Sequence, residues 1–351
     1  MRLFNLGRVK QAAGRLSSMF GPRAAILMYH RVTESVSDPC MLRVTPQHFE
    51  EHLQVIRQVG RPVRLEELAH RVRDGNMPEH AVCVTFDDGY DDNLHIAKPL
   101  LERYDVPATV FMTTGTIGRS REFWWDELER VFLQPGCLPV RLQLAVNGQR
   151  FEWELGESSH YSENDLHQNK AWTMPDPDGP NAPSDPTPRH TAFRALDQLL
   201  QSMAEADRQQ VLDRLLDWSG VRPTVRPTHR ALDLEKVVEL GRGGIVEVGA
   251  HTVNHLELPA QPAEVQREEI RQSKSALEQR LGHPVKSFAY PYGFYSEESV
   301  TAVREAGFEY ACACLSRTVR RNSDLFLLPR VDVLNWDGDA FARRLRKHLG
   351  V

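Results

Sequence analysis

Apolar residues in this chain fall into short unbroken runs that alternate with longer stretches of helical spacing. Ala24-Ala25-Ile26-Leu27-Met28-Tyr29, Val82 to Phe86 and Ala108 to Met112 are apolar at nearly every position, as strands buried on both faces require. Between the first two, Thr45-Pro46 supplies a hydroxyl cap and a first-turn proline, and Phe49, Leu53 and Ile56 share one face of the helix this predicts up to Gly60. A second helix is expected over about 64–74, and a third carries Ile96, Leu100 and Leu101. The rhythm returns downstream with helix 234–240, strand 245–250, helix 262–281 stopped by Gly282, and strand 285–290. A helix opened by Ser296 and halted at Gly307, strands 310–315 and 325–333, and a terminal helix 339–349 complete it.

Residues 118–230 break that rhythm. Phe123 to Phe132 predicts a helix with aromatics at its start, and 141–146 with 151–155 flank Asn147-Gly148 as a hairpin would. Residues 160–190 hold Pro175, Pro177, Pro180, Pro183, Pro186 and Pro188, which predicts a mobile surface loop. One helix is expected over 191–218, its apolar side marked by Leu196, Leu199, Leu200, Met203, Val211, Leu212 and Leu215. The fold class that follows is α/β, a (β/α) barrel of about seven strands with a large inserted segment. The chain divides into an N-terminal basic segment over 1–23, a barrel over 24–117 and 231–351, and an insertion over 118–230.

Composition refines this picture without changing it. Hydrophobic residues make up 41% and charged residues 26% of the 351 positions, enough for a large core. A net charge of -5 has the wrong sign for a nucleic-acid partner. Cys40, Cys83, Cys137, Cys312 and Cys314 form no Cys-x-x-Cys pair, so reduced, buried thiols are expected, with Cys312 and Cys314 packing on one face of a strand. No apolar run is long enough to cross a bilayer, and the start lacks a secretory pattern, so cytoplasmic residence is the expectation. Leu3, Phe4, Leu6 and Val9 alternate with Arg2, Arg8 and Lys10. Such a basic amphipathic segment over residues 1–20 suits the inner face of an anionic membrane, or equally the surface of the barrel itself.

The polar residues that stand out, His30, Asp87, Asp88, His251 and Tyr292, all fall at or just beyond the C-terminal end of a predicted strand, so a barrel would gather them on one rim. One carboxylate of the Asp87-Asp88 pair with the imidazoles of His251 and His255 makes a three-ligand set for a hydrolytic metal such as zinc. On an extended backbone consecutive side chains diverge, so Asp87 and Asp88 should differ in role, one binding the ion and the other taking a proton from water. Asp-Asp-Gly also suits a plain turn or helix cap. The spacing of His251 and His255 puts both imidazoles on one side of a helical turn or a folded loop. Phe288-Ala289-Tyr290-Pro291-Tyr292-Gly293 reads as a strand running into a rigid turn whose free N–H groups can face a ligand, or as an ordinary strand-to-helix turn.

Thr85-Phe86-Asp87-Asp88-Gly89, His251-Thr252-Val253-Asn254-His255 and Pro291-Tyr292-Gly293, in this order, resemble the polysaccharide deacetylases of the NodB-homology type, carbohydrate esterase family four. The resemblance covers about 24–117 and 231–335. It implies a distorted barrel, one divalent ion, often zinc, and removal of acetyl groups from sugars. It further implies Asp87 as catalytic base, Asp88, His251 and His255 as metal ligands, and the Tyr292 N–H as donor to the oxyanion, with His30, Tyr290, Pro291 and Gly293 taken as substrate-binding positions. Relatives commonly begin the third motif with an arginine that pairs with the catalytic aspartate; Ala289 stands there in this chain, and Arg330 is the expected substitute. The late histidine that serves relatives as general acid has no counterpart, His348 lying in a basic terminal helix; His30 or protonated Asp87 are the alternatives. Trp124, Trp125 and Trp153 suit either sugar stacking or packing of the insertion, and the proline-rich loop suits a lid. The expected function is removal of an acetyl group, most simply N-acetyl, from a saccharide in bacterial surface-polysaccharide synthesis. A carbohydrate-binding protein without catalysis and a non-haem iron enzyme are the rivals.

Overall fold

The computed structural model describes residues 21–175 and 184–351. The N-terminal amphipathic pattern and part of the proline-rich stretch therefore lie outside the described residues.

The apolar runs form parallel strands: β1 Ala25–Tyr29, β2 Ala81–Phe86, β3 Ala108–Met112, β4 Val246–Ala250, β5 Ser287–Ala289, β6 Tyr310–Ala313, β7 Leu328–Pro329 and β8 Val331–Asp332. Around the sheet they lie in the order β7-β6-β5-β4-β3-β2-β1-β8. Because β7 and β8 flank a single residue, Arg330, the two ends of the sheet meet there and close an α/β barrel. Leu328 pairs with Cys312 on one side, and Val331 pairs with Leu27 on the other. The strand expected over 325–333 is thus two short ladders, because the chain crosses from one neighbour to the next at Arg330.

Alternation along the strands sorts two apolar layers. Leu27, Val84, Val110, Val248, Phe288 and Ala311 face the outer helices. Ile26, Cys83, Phe111, Ala289, Cys312 and Leu328 fill the interior. The outer helices include Pro46–Val59, capped by the Thr45 side chain on the His48 N–H, and Gly338–Leu349, which packs beside it. No helix among the described residues is long and apolar enough to cross a membrane. All five cysteines are free; Cys83 and Cys312 are buried, but Cys137 is exposed on a two-residue ladder, contrary to the expectation of buried thiols throughout.

The 118–230 segment builds its own apolar cluster from Leu128, Phe132, Leu142, Leu144, Phe193 and Leu212. The hairpin Arg141–Val146 alternates exposed and buried residues as a one-sided sheet must. Two expectations fail here. Residues 163–169 form a helix rather than loop, because the prolines begin only at Pro175 and Ser162 with Asp165 makes a capping box. The helix expected over 191–218 is two, Pro188–Gln201 and Glu205–Ser219. The chain turns extended at Ala204, and the Gln261 side chain donates to the freed Ser202 carbonyl at 3.0 Å.

A polar seam joins the insertion to the barrel. The Tyr90 hydroxyl donates to Asp126 Oδ2 at 2.8 Å and accepts from Trp125 Nε1 at 2.8 Å. On the insertion's side Arg226 donates to Glu122 at 2.9 Å and to Glu129 at 2.5 Å, and on the barrel's side Arg31 lies 4.4 Å over the Tyr90 ring.

Burial pushes the Asp126 carboxyl up to about 7, with Arg31 opposing. The folded state therefore holds a proton that the unfolded chain, with an ordinary carboxyl near about 3.9, releases sooner. This group's contribution is full at low pH and is lost as pH rises from about 4 towards 7. Asp126→Asn should consequently shrink the fall in melting temperature between pH 5 and pH 7.5 by at least about 2 °C in paired thermal scans. An unchanged difference would show that the seam does not hold this proton.

Candidate active site

Each site residue is placed by the strand that precedes it. At the end of β2 the Asp87 N–H donates to the Tyr29 carbonyl at 3.0 Å, continuing the ladder by one residue. Asp88 then turns into the left-handed region at φ 73°. Gly89 follows at φ 83°, with Met112 so close that a Cβ would stand 2.4 Å from its side chain. The left-handed turn replaces the extended backbone on which the two carboxylates were expected to diverge. Both instead approach His251, at 3.9 Å from Asp87 and 3.8 Å from Asp88.

His251 follows β4, its N–H donating to the Met112 carbonyl at 2.9 Å. The next residues form a loop rather than a helical turn, with Thr252 at φ 62° and His255 at φ 52°. Glu269 holds this loop, accepting from the N–H groups of Val253 at 2.9 Å and Asn254 at 2.8 Å. The imidazoles of His251 and His255 meet at 4.8 Å between centroids.

Ligand atoms of Asp88, His251 and His255 lie within 4.8 Å of one another, and all three residues are buried. Asp88 Oδ1 is buried without a hydrogen-bond partner, 3.3 Å from His255 Nε2 and 3.8 Å from His251 Nε2, a costly state that a cation among these three atoms would relieve. His251 Nδ1 lies 2.8 Å from the Ala289 carbonyl, a contact that directs the other ring nitrogen into the cluster. Burial lowers His251 to about 4, which keeps its imidazole neutral with a lone pair to give. The residues therefore fit one divalent ion held by a carboxylate and two imidazoles.

Asp87 stands outside that set. Arg330, fully buried at the barrel closure, donates to Asp87 Oδ1 at 2.6 Å and to Oδ2 at 2.7 Å. Burial alone would raise the carboxyl, but the guanidinium and His251 outweigh it and hold Asp87 well below the usual carboxylate range.

In the turn after β5, Gly293 and Phe294 donate the two short-range bonds, while Tyr292 sits at φ 57°. The Tyr292 ring packs edge-on against His255 at 4.5 Å. Gly293 is required at φ 73°, since a Cβ would stand 2.2 Å from that of Cys314. Tyr290 departs from its expected substrate-binding position. Ala289 faces the barrel interior, so the next side chain points outward into the helix layer, and its hydroxyl donates to the Phe326 carbonyl at 3.1 Å. Pro291 and Gly293 likewise shape the turn and do not line the cavity.

A cavity of about 360 Å³ opens over the cluster, and His30, Asp87, Asp88, His251, His255 and Tyr292 line it. Trp124 and Trp125 join its wall from the insertion, with Trp125 edge-on to His255 at 4.9 Å. Trp153 does not reach it, stacking instead on Phe151 at 5.9 Å. Two further wall residues, Asp197 and Gln201, went unnoticed in the sequence. A signal was available for the first: in the stripe Phe193, Leu196, Leu200, an acid at 197 occupies an apolar position.

A parallel barrel with a buried carboxylate–imidazole cluster at its strand ends defines the class, and comparison with known proteins gives the family. Residues 74–136 and 213–311 match the polysaccharide deacetylase family model. Over 150 residues the chain is 30% identical to Bacillus subtilis YxkH, a candidate polysaccharide deacetylase by its name, covering 41% of this chain and 52% of that protein. It is 28% identical over 78 residues to the poly-β-1,6-N-acetyl-D-glucosamine N-deacetylase of Staphylococcus aureus, covering 22% of this chain and 27% of that one. The chain thus spans about half the length of the first relative and about a quarter of the second. Among solved structures, the Streptococcus pyogenes deacetylase PplD in complex with acetate superimposes with a TM-score of 0.56 at 18% identity, over 93% of this chain and 99% of that one. IcaB from Ammonifex degensii does so with 0.55 at 19%, over 94% and 98%. At such identities the structures establish the shared barrel fold. The chain belongs to the polysaccharide deacetylase family.

Arg330→Ala would leave Asp87 buried without its counter-charge, and urea unfolding should register a loss of about 3–5 kcal/mol. Adding Asp87→Asn to that variant should recover most of the loss; strict additivity in the double-mutant cycle would mean that the two groups are not coupled. For the ligand set, elemental analysis after dialysis against zinc should find about one ion per wild-type chain and at least about tenfold weaker retention in Asp88→Asn or His255→Ala. Cys314→Ser, on the same cavity wall, should retain zinc, and equal retention by all variants would refute the cluster.

Proposed function

We propose that this chain is a metal-dependent hydrolase that removes the acetyl group from an N-acetylated saccharide in bacterial surface-polysaccharide synthesis. The observation that carries the reading is the division of labour between neighbours: Asp88 converges with two imidazoles, while Asp87 is held apart by Arg330 yet opens on the same cavity. A binding protein without catalysis would have no use for a second carboxylate fixed beside the first, and the arginine absent from position 289 has a counterpart in Arg330.

Asp88, His251 and His255 would hold a divalent ion, zinc suiting the nitrogen and oxygen donors, which would supply Lewis acidity at the acetyl carbonyl. Asp87 is placed to accept a proton from the attacking water, and Arg330 keeps the carboxylate ionised and aimed until then. The Tyr292 N–H, which the turn leaves out of its own bonds, donates to the developing oxyanion. His30, on the cavity wall but outside the ligand cluster, hands a proton to the departing amine. The substrate class follows that of the Staphylococcus aureus relative, a poly-β-1,6-N-acetyl-D-glucosamine N-deacetylase.

Zinc-loaded protein should release acetate from N-acetylglucosamine oligomers, with loss on chelation and recovery on adding zinc. Asp87→Asn should lower kcat by about 10²–10⁴-fold, and His30→Gln should lower kcat more than it raises KM. No acetate from any acetylated mono-, oligo- or nucleotide-linked sugar would overturn the reading, and oxygen consumption in the iron-loaded form would favour the oxygenase instead.

A further inference from the structure

The cavity contains a carboxyl that the reaction above does not use. Asp197 lies on the helix Pro188–Gln201, with 8% of its surface exposed, and lines the same wall as Trp124 and Tyr292. Among the described residues no hydrogen-bond donor or cation pairs with it; burial alone pushes it up to about 7. The Cys40 thiol and the Tyr292 hydroxyl share its cavity wall and feel its charge. The Arg208 guanidinium, 5.6 Å over the Trp124 ring, is instead bound to Glu205 at 2.6 Å and to the Asn254 carbonyl at 2.6 Å. A buried carboxyl kept without a partner costs stability, so an apolar residue would serve packing better. Gln201, one turn further along the same helix, adds a second polar group to the wall.

The charge lining the cavity points the same way. Among the described residues four carboxyl groups line it, Asp87, Asp88, Asp197 and Asp332, and no lysine or arginine does. Arg330 balances the first, and a divalent ion in the cluster would balance the second. Asp197 and Asp332 remain unbalanced until a ligand arrives.

We propose that Asp197 is a substrate-contacting residue, supplied by the insertion, that selects saccharides with neutral or amine-bearing rings over those carrying carboxylate or phosphate. The inference rests on the deacetylase reading and specifies the sugars its site accepts. Protonated, the carboxyl donates to a ring hydroxyl; beside an ammonium it ionises and pairs. An anionic ring meets like charge in a wall whose described residues offer no counter-ion. A deacetylated unit on the same chain thus becomes a favoured neighbour.

The test uses two tetrasaccharides without acetyl groups, so that binding is read apart from turnover: a glucosamine tetramer and a galacturonate tetramer, titrated into the zinc-loaded wild type, Asp197→Asn and Asp197→Ala. The wild type should prefer the cationic tetramer by at least about tenfold, and both variants should narrow that ratio at least about tenfold. Asp332→Asn, at the exposed rim, should change it less than about threefold. An unchanged ratio in either folded Asp197 variant, or no measurable binding of the cationic tetramer by the wild type, overturns the inference. Acetate release measured in parallel keeps the two readings distinct, since a deacetylase whose Asp197 variants keep the wild-type preference retains its function and loses only this selectivity.

Discussion

A guanidinium sealed inside a protein must find a carboxylate, and the position of Arg330 makes that requirement an organising constraint. It sits where the sheet meets itself, between a segment paired to β6 and one paired to β1. Its side chain passes through the barrel interior, 5.5 Å over the Phe111 ring, and ends on both oxygens of Asp87. Desolvating both ions costs more than a loose contact returns, so the pair survives only with two-point geometry. Closure of the barrel and orientation of a site carboxylate are therefore one event. Neither the strand register at 328–332 nor the direction of Asp87 can shift without disturbing the other.

Local strain is concentrated in the same place. Asp88, Thr252, His255 and Tyr292 all hold left-handed backbone without being glycine, a conformation that costs on the order of 1 kcal/mol or more at each position. Packing and hydrogen bonds sustain it. Glu269 secures the loop between the histidines, the Thr252 hydroxyl accepts from the His255 N–H at 3.0 Å, and the Asp88 carbonyl accepts from the Thr113 N–H at 3.3 Å. These turns point side chains inward at strand ends where regular geometry would send alternate ones away.

Much of the barrel was legible because a parallel strand covered on both faces is apolar at consecutive positions, and the motif residues followed those runs directly. What stayed hidden had physical reasons. Residues 202–204 break a helix without glycine or proline, since the Gln261 side chain satisfies the carbonyl freed there. The helix at 163–169 was masked by prolines that lie beyond it. Tyr290 seemed part of the site only by adjacency, whereas the two-residue alternation that buries Ala289 inside the barrel turns it away. Asp197 is chemically informative only once the helix bearing it is known to face the cavity, a relation that depends on contacts distant in sequence.

The insertion reaches further into the site than its place outside the strand–helix alternation suggests. His255 is wedged between Tyr292 from the barrel and Trp125 from the inserted segment, at 4.5 and 4.9 Å. By thermodynamic reciprocity, whatever the folding of that segment contributes to imidazole placement, occupation of the site returns as stiffness in the segment. Sequence drift in the outer helices of the insertion would then surface as altered imidazole placement before it altered the barrel, coupling the evolution of the cavity wall to that of the Asp88–His251–His255 cluster beneath it.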